Sequence, residues 1–176
     1  MQMIDSLFRD IRLPAFRDLV QNPLTHLAVW VVLGDQLTKS WLGSYLPVHT
    51  AKVIIPGFLN LVHVRNTGAA FSLLAGSNTV WRQVLFTMVS VLALAVMLYL
   101  LSRTPKEDAW TRRGLTLIFA GAVGNLIDRL RFGEVVDFLD FYLGSLHWPA
   151  FNVADSAITV GAGMLLVTLF AVKTNR

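Results

Sequence analysis

An all-α membrane protein is the fold class the sequence predicts: four transmembrane helices, a small β-sheet on the outer face and an amphipathic N-terminal helix. Three observations predict it. Of the 176 residues, 55% are hydrophobic and only 15% charged, with a mean hydropathy of +0.58, beyond the range of an ordinary soluble domain. Four apolar runs recur along the chain, each close to the ~20 residues that cross a bilayer. Finally, Asn125, Asp128, Arg129, Asp137, Asn152 and Asp155 all lie at the edge of, or between, two of those runs. Such side chains are unfavourable at membrane depth unless paired or functional, so each is a site candidate.

The chain divides into an amphipathic extension, residues 1–22, and a four-helix unit, residues 23–176, that includes a surface sheet over 44–66. In the extension, Met3, Ile4, Leu7, Phe8 and Ile11 stand at helical spacing among Asp5, Arg9, Asp10 and Arg12. This pattern fits a helix lying on the membrane surface, or else a disordered tail. Charges throughout Met1–Val20 leave no apolar core for a cleavable signal. Leu24–Leu42 is the first spanning run. Asp35 and Lys39 near its end are spaced i, i+4 with the acid first, so they pair on one face or else snorkel to the interface.

Residues 46–66 change character. Pro47, Pro56 and Gly57 punctuate β-branched stretches at 53–55 and 59–64, which predicts short strands. Open strand edges cannot sit in hydrocarbon, so the sheet belongs on the membrane surface. Residues 66–72, small and polar, read as a loop or short helix, and 67–76 as a lid. Val84–Leu101 has no charge and is the clearest span. Gly114–Leu130 and Phe151–Val172 follow, with Ala120 and Gly124 in one and Ala157 and Gly161 in the other, small residues that allow close helix packing.

Lys and Arg fix the orientation. The basic segments before the first helix, at 103–113 and at the C-terminus alternate with less basic ones, which puts both termini in the cytoplasm. Asp35, Lys39, Asn125, Asp128, Arg129, Asn152 and Asp155 then fall at outer helix ends, and Asn66 and Asp137 in outer loops. Scattered structural charges would populate both leaflets; these share one.

The net charge of +4 comes mainly from segment ends and forms no basic stripe for nucleic acid. The absence of cysteine excludes disulfides, thiol nucleophiles and thiolate metal sites. Four scattered histidines lack zinc-peptidase spacing, so neither metal nor cofactor is expected. What remains is carboxylate chemistry. Two carboxyl groups held together cannot both ionise easily, and the pair supplies an acid and a base that activate water on an amide. Asp137, between Val135–Val136 and Phe138–Leu139, and Asp155, near a helix start, are the candidate pair. Taken alone, Asn152 and Asp155 also read as an N-cap with its N3 acid, Asp128–Arg129 as a helix-end charge pair, and Glu134 and Asp140 as solvated loop charges. A small proton-coupled transporter is the alternative function and a non-catalytic scaffold a third. The transporter requires polar groups through the bilayer depth, whereas here they cluster at one end and the second span carries no charge.

The segments DQLTK (35–39), NTGAAFS (66–72), GNLIDR (124–129), VVDF (135–138) and FNVADSAITVG (151–161) resemble, in order, the lipoprotein signal peptidases, or type II signal peptidases. The resemblance covers roughly residues 24–172. It implies a four-helix aspartyl endopeptidase of the bacterial inner membrane that cleaves prolipoproteins before a diacylglyceryl-modified cysteine, with membrane lipids around it. It implies that Asp137 and Asp155 are catalytic and that Asp128 is supporting, fixing Arg129 and the loop. Asn66, Asn125, Arg129 and Asn152 match positions that hold substrate backbone or order the pair. Asp35 and Lys39 match a structural or substrate-orienting pair.

Overall fold

In the computed structural model, residues 16–68 and 79–174 are described. Most of the expected N-terminal amphipathic helix and of the 66–72 and 67–76 segments lies outside them. What is described of the extension is a short helix, α1 (Phe16–Gln21). Four long helices follow: α2 (Pro23–Tyr45), α3 (Thr79–Arg103), α4 (Ala109–Phe132) and α5 (Val153–Thr174). Asn22 starts α2 by accepting the Leu24 amide at 2.9 Å, with Pro23 at the first turn where its missing N–H is harmless. Asp108 caps α4 in the same way, and Gly133 ends it at φ 75°, a left-handed backbone that glycine adopts without strain.

The helices run 22 to 25 residues, or about 33–38 Å, enough to cross hydrocarbon. Two of them, over Val80–Arg103 and Val153–Phe170, are also apolar enough by composition. The other two carry Asp35, Lys39, Asp128 and Arg129. Both α3 and α4 begin a turn earlier than their apolar runs, because Arg82, Gln83, Arg112 and Arg113 continue the helix as polar end turns.

Four antiparallel strands stand in the order β1 (Ala51–Ile55), β2 (Leu59–Asn66), β3 (Val135–Leu143) and β4 (Leu146–His147). The strand pair at 51–66 matches the sequence reading. Residues 135–143 correct it: they are a strand, not a loop, and Asn66 is the last residue of β2. Val64 lies opposite Asp137 and Asn66 opposite Val135, beyond an irregularity in the β2 pairing between Leu61 and Val64. β3 is buried on both faces, so its apolar residues run on without the alternation that betrays a half-exposed strand. Leu42 of α2 packs with Leu61, Val136 and Phe138 and clamps the sheet to the bundle.

α4 and α5 meet through small residues. A Cβ on Gly121 would collide with the Ala154 carbonyl and Ile158, and one on Gly161 with the Gly114 carbonyl and Ile118. Gly124 serves a different purpose, since its missing side chain makes room for the Asp35 carboxylate. Gly121→Val is therefore expected to destabilise by about 1–3 kcal/mol through overpacking, read as a lower melting temperature in detergent. An unchanged melting curve would mean that α5 can shift freely.

Candidate active site

Three asparagines organise two carboxylates. Asn152 precedes α5, and its Oδ1 accepts the Asp155 amide at 2.9 Å while its own amide donates to Asp155 Oδ2 at 3.3 Å. This is a capping box, and the N-cap reading of these residues describes the geometry well. The cap leaves Nδ2 free, and that group donates to Asp137 Oδ1 at 2.8 Å, with the Asn125 Oδ1 and Val136 carbonyl at 3.2 Å. Asn125 Nδ2 donates to Asp155 Oδ1 at 2.8 Å, and Asn66 Nδ2 to Asp137 Oδ2 at 2.8 Å. All four carboxylate oxygens thus face donors, and Asn152 touches both acids.

Asp137 is 2% exposed. Burial pushes its carboxyl up to about 6; the Asn66 hydrogen bond opposes this, the Asp155 charge reinforces it, and Asn152 and Lys39 oppose it. In the strand its immediate neighbours point to the opposite face, so the helices that cover β3 do the desolvating. A carboxyl raised from 3.8 to about 6 binds its proton more tightly in the folded state. The resulting stability, about 3 kcal/mol, is complete below pH 4 and is lost as pH rises through 6. Melting temperature is expected to fall between pH 4 and 6, with a shallower slope in Asp137→Asn. Equal slopes in the two proteins would contradict this.

Behind the pair lies a buried ion triad. Lys39 Nζ stands 2.8 Å from Asp35 Oδ2, 2.7 Å from Asp128 Oδ2 and 3.1 Å from Asn125 Oδ1, so its three protons have three acceptors. Asp35 is 0% exposed, Asp128 1% and Lys39 6%, which excludes snorkelling. Asp35 Oδ1 accepts the amide of Ala154 at 3.0 Å, and Asp128 Oδ2 accepts that of Val136 at 3.1 Å. Each buried acid therefore grips the backbone immediately before one member of the pair. Asn125 joins triad to pair, since its Oδ1 accepts from both Lys39 and Asn152.

Three readings need correction. Asp128 does not fix Arg129, nor do the two form a charge pair, because neighbouring helical residues project in different directions. Arg129 Nη1 donates instead to Ser90 Oγ of α3 at 3.3 Å and to the Asn125 carbonyl at 3.4 Å. Asp140 is not a solvated loop charge: it is buried in β3 and accepts from Asn60 Nδ2 at 2.9 Å and His147 Nδ1 at 2.9 Å. Gln36 was missed. Its Nε2 lies 3.0 Å from Asp128 Oδ1 and 3.1 Å from Asp35 Oδ2, and its place inside DQLTK was the available signal. Ser90, a polar residue within the uncharged third-helix run, was a second such signal.

A profile of the family described as Signal peptidase (SPase) II matches residues 27–171. The chain belongs to the signal peptidase II family. That makes this signal peptidase an aspartic peptidase. It is 53% identical over 146 residues to the lipoprotein signal peptidase of Desulforapulum autotrophicum, covering 83% of this chain and 88% of that one. With the lipoprotein signal peptidase of Syntrophus aciditrophicus it shares 45% identity over 139 residues, covering 79% and 86%. A solved bacterial membrane enzyme superposes on the signal peptidase with a TM-score of 0.77 at 32% identity, over 88% of this chain and 91% of that one. Another does so with a TM-score of 0.74 at 33% identity, over 84% and 92%. Nothing in the family supports the transporter alternative.

Proposed function

We propose that this signal peptidase removes signal peptides from prolipoproteins by activating water between Asp137 and Asp155, cleaving before a diacylglyceryl-modified cysteine. The observation that carries the reading is Asn152, whose amide nitrogens and side-chain oxygen tie a β3 carboxylate to the first turn of α5. Water between the two acids gives its proton to the ionised carboxylate as its oxygen attacks the scissile carbonyl. The neutral carboxyl donates to the carbonyl oxygen. The tetrahedral intermediate then collapses, the amine leaving with a proton from the pair. The two titrate as a unit, so acid and base belong to the pair.

Asn66, Asn125 and Asn152 order the carboxylates, Arg129 is available to hold substrate backbone or a developing oxyanion, and the Asp35–Lys39–Asp128 triad fixes the frame. All four long helices cross the bacterial inner membrane with both termini in the cytoplasm and the pair near the outer leaflet. In support, α2 turns Asp35 and Lys39 and α4 turns Asp128 into the bundle, and exposed Trp30, Leu37 and Trp41 remain to face lipid. Residues 23–176 form the peptidase unit, including the surface sheet, with 1–22 as an amphipathic extension. Purified enzyme given a lipidated precursor and its unlipidated counterpart should shorten only the first, read as a mass change. Equal cleavage of both, or of neither, would defeat the proposal.

A further inference from the structure

A cavity of about 280 Å³ opens beside Lys39, and neither Asp137 nor Asp155 lines it. Its wall is formed by α2, β2 and the last turn of α4. Lys39 and Asp128 line it but are already paired with each other. Arg65 and Arg131 also line it, and no ion pair among the described residues involves either. Both guanidinium groups lean on one ring: the Arg65 carbon is 4.3 Å and the Arg131 carbon 5.0 Å from the Phe132 centroid. One aromatic ring thus carries two guanidinium groups, neither held in an ion pair among the described residues.

The third feature is His63. It is 3% exposed, its Nδ1 donates to the Leu46 carbonyl at 2.7 Å, and its Nε2 has no hydrogen-bond partner among the described residues. With the proton on Nδ1, Nε2 is an acceptor. Buried acceptors are normally satisfied, so this one points to a donor supplied by a ligand.

Two guanidinium groups beside a buried acceptor describe a particular chemistry. We infer that this cavity binds a phosphodiester headgroup that carries a hydroxyl, with Arg65 and Arg131 on the phosphate and His63 Nε2 accepting from the hydroxyl. Planar guanidinium forks suit phosphate oxygens. The volume falls just below the ~300–1,000 Å³ of drug-sized pockets, so it admits a headgroup while the acyl chains stay outside against exposed Leu37 and Trp41 of α2. The site is separate from the carboxylate pair and rests on the outer-leaflet placement proposed above.

The full-length enzyme in neutral detergent is titrated with phosphatidylglycerol, phosphatidylmethanol, diacylglycerol and inorganic phosphate, with melting temperature and native mass spectra as readouts. Phosphatidylglycerol is expected to give a saturable one-lipid adduct and a higher melting temperature. Its binding should be at least tenfold tighter than that of diacylglycerol and several-fold tighter than that of phosphatidylmethanol, which has the charge without the hydroxyl. Arg65→Gln/Arg131→Gln should weaken it tenfold or more while precursor cleavage in the same detergent persists. Unchanged binding by the double variant, or no saturable adduct, would overturn the site. Equal binding of phosphatidylmethanol would overturn the role of His63, and a match by inorganic phosphate would overturn a lipid ligand. Precursor cleavage in the same preparation tests the peptidase reading independently.

Discussion

Asp137→Asn and Asp155→Asn are each expected to reduce single-turnover cleavage of a lipidated precursor by about 10³-fold or more, since proton transfer by one positioned group contributes 10²–10⁴-fold. An amide of the same shape cannot take a proton from water, and its partner cannot supply both halves of the reaction. The fold should survive. Asn66 and Asn152 both donate to Asp137, so an introduced amide group opposes one of them, a mismatch of about 1–3 kcal/mol. Removing a buried charge offsets part of that. Elution as a monodisperse species with unchanged helicity would separate lost chemistry from lost structure. Robust turnover by either variant would eliminate the pair.

Lys39→Met should act on the fold itself. Asp35 and Asp128, 0% and 1% exposed, both point at its ammonium group and would be left as uncompensated buried carboxylates. Breaking such a cluster by removing one partner typically costs about 3–5 kcal/mol, a large share of a marginal stability. The variant is expected to accumulate poorly and to melt well below the parent. Adding Asp35→Asn and Asp128→Asn removes the stranded charges and should recover much of the melting temperature, although Asn125 would still lack its anchor and cleavage would stay impaired. A single Lys39→Met protein that melts within a degree or two of the parent would show that the triad contributes little.

Local pattern explains what could be read in advance. Asp35 and Lys39 sit one helical turn apart, so their pairing needs no tertiary knowledge. The turn residues around 47–57 bracket β-branched runs, and those became β1 and β2. β3 was missed because a strand covered on both faces presents no period-two signal, and its two aspartates made it look like a connection. Asp128 was given the wrong partner for a related reason. Its true partner Lys39 is far away in sequence, whereas Arg129 is adjacent in sequence but not in space.

Composition, the spacing of apolar runs and the order of five short motifs determined the membrane class, the family and the residues worth watching, because these properties belong to the chain itself. Tertiary structure alone decided that Asn152 and Asn125 link two carboxylates from different elements, that Asp35 and Asp128 hold the amides preceding them, and that Arg65, Arg131 and His63 share a cavity. The physical reason is range. Hydrophobic periodicity is encoded within a few turns of chain, whereas a hydrogen bond is made over about 3 Å between residues whose separation in sequence says nothing about their separation in space.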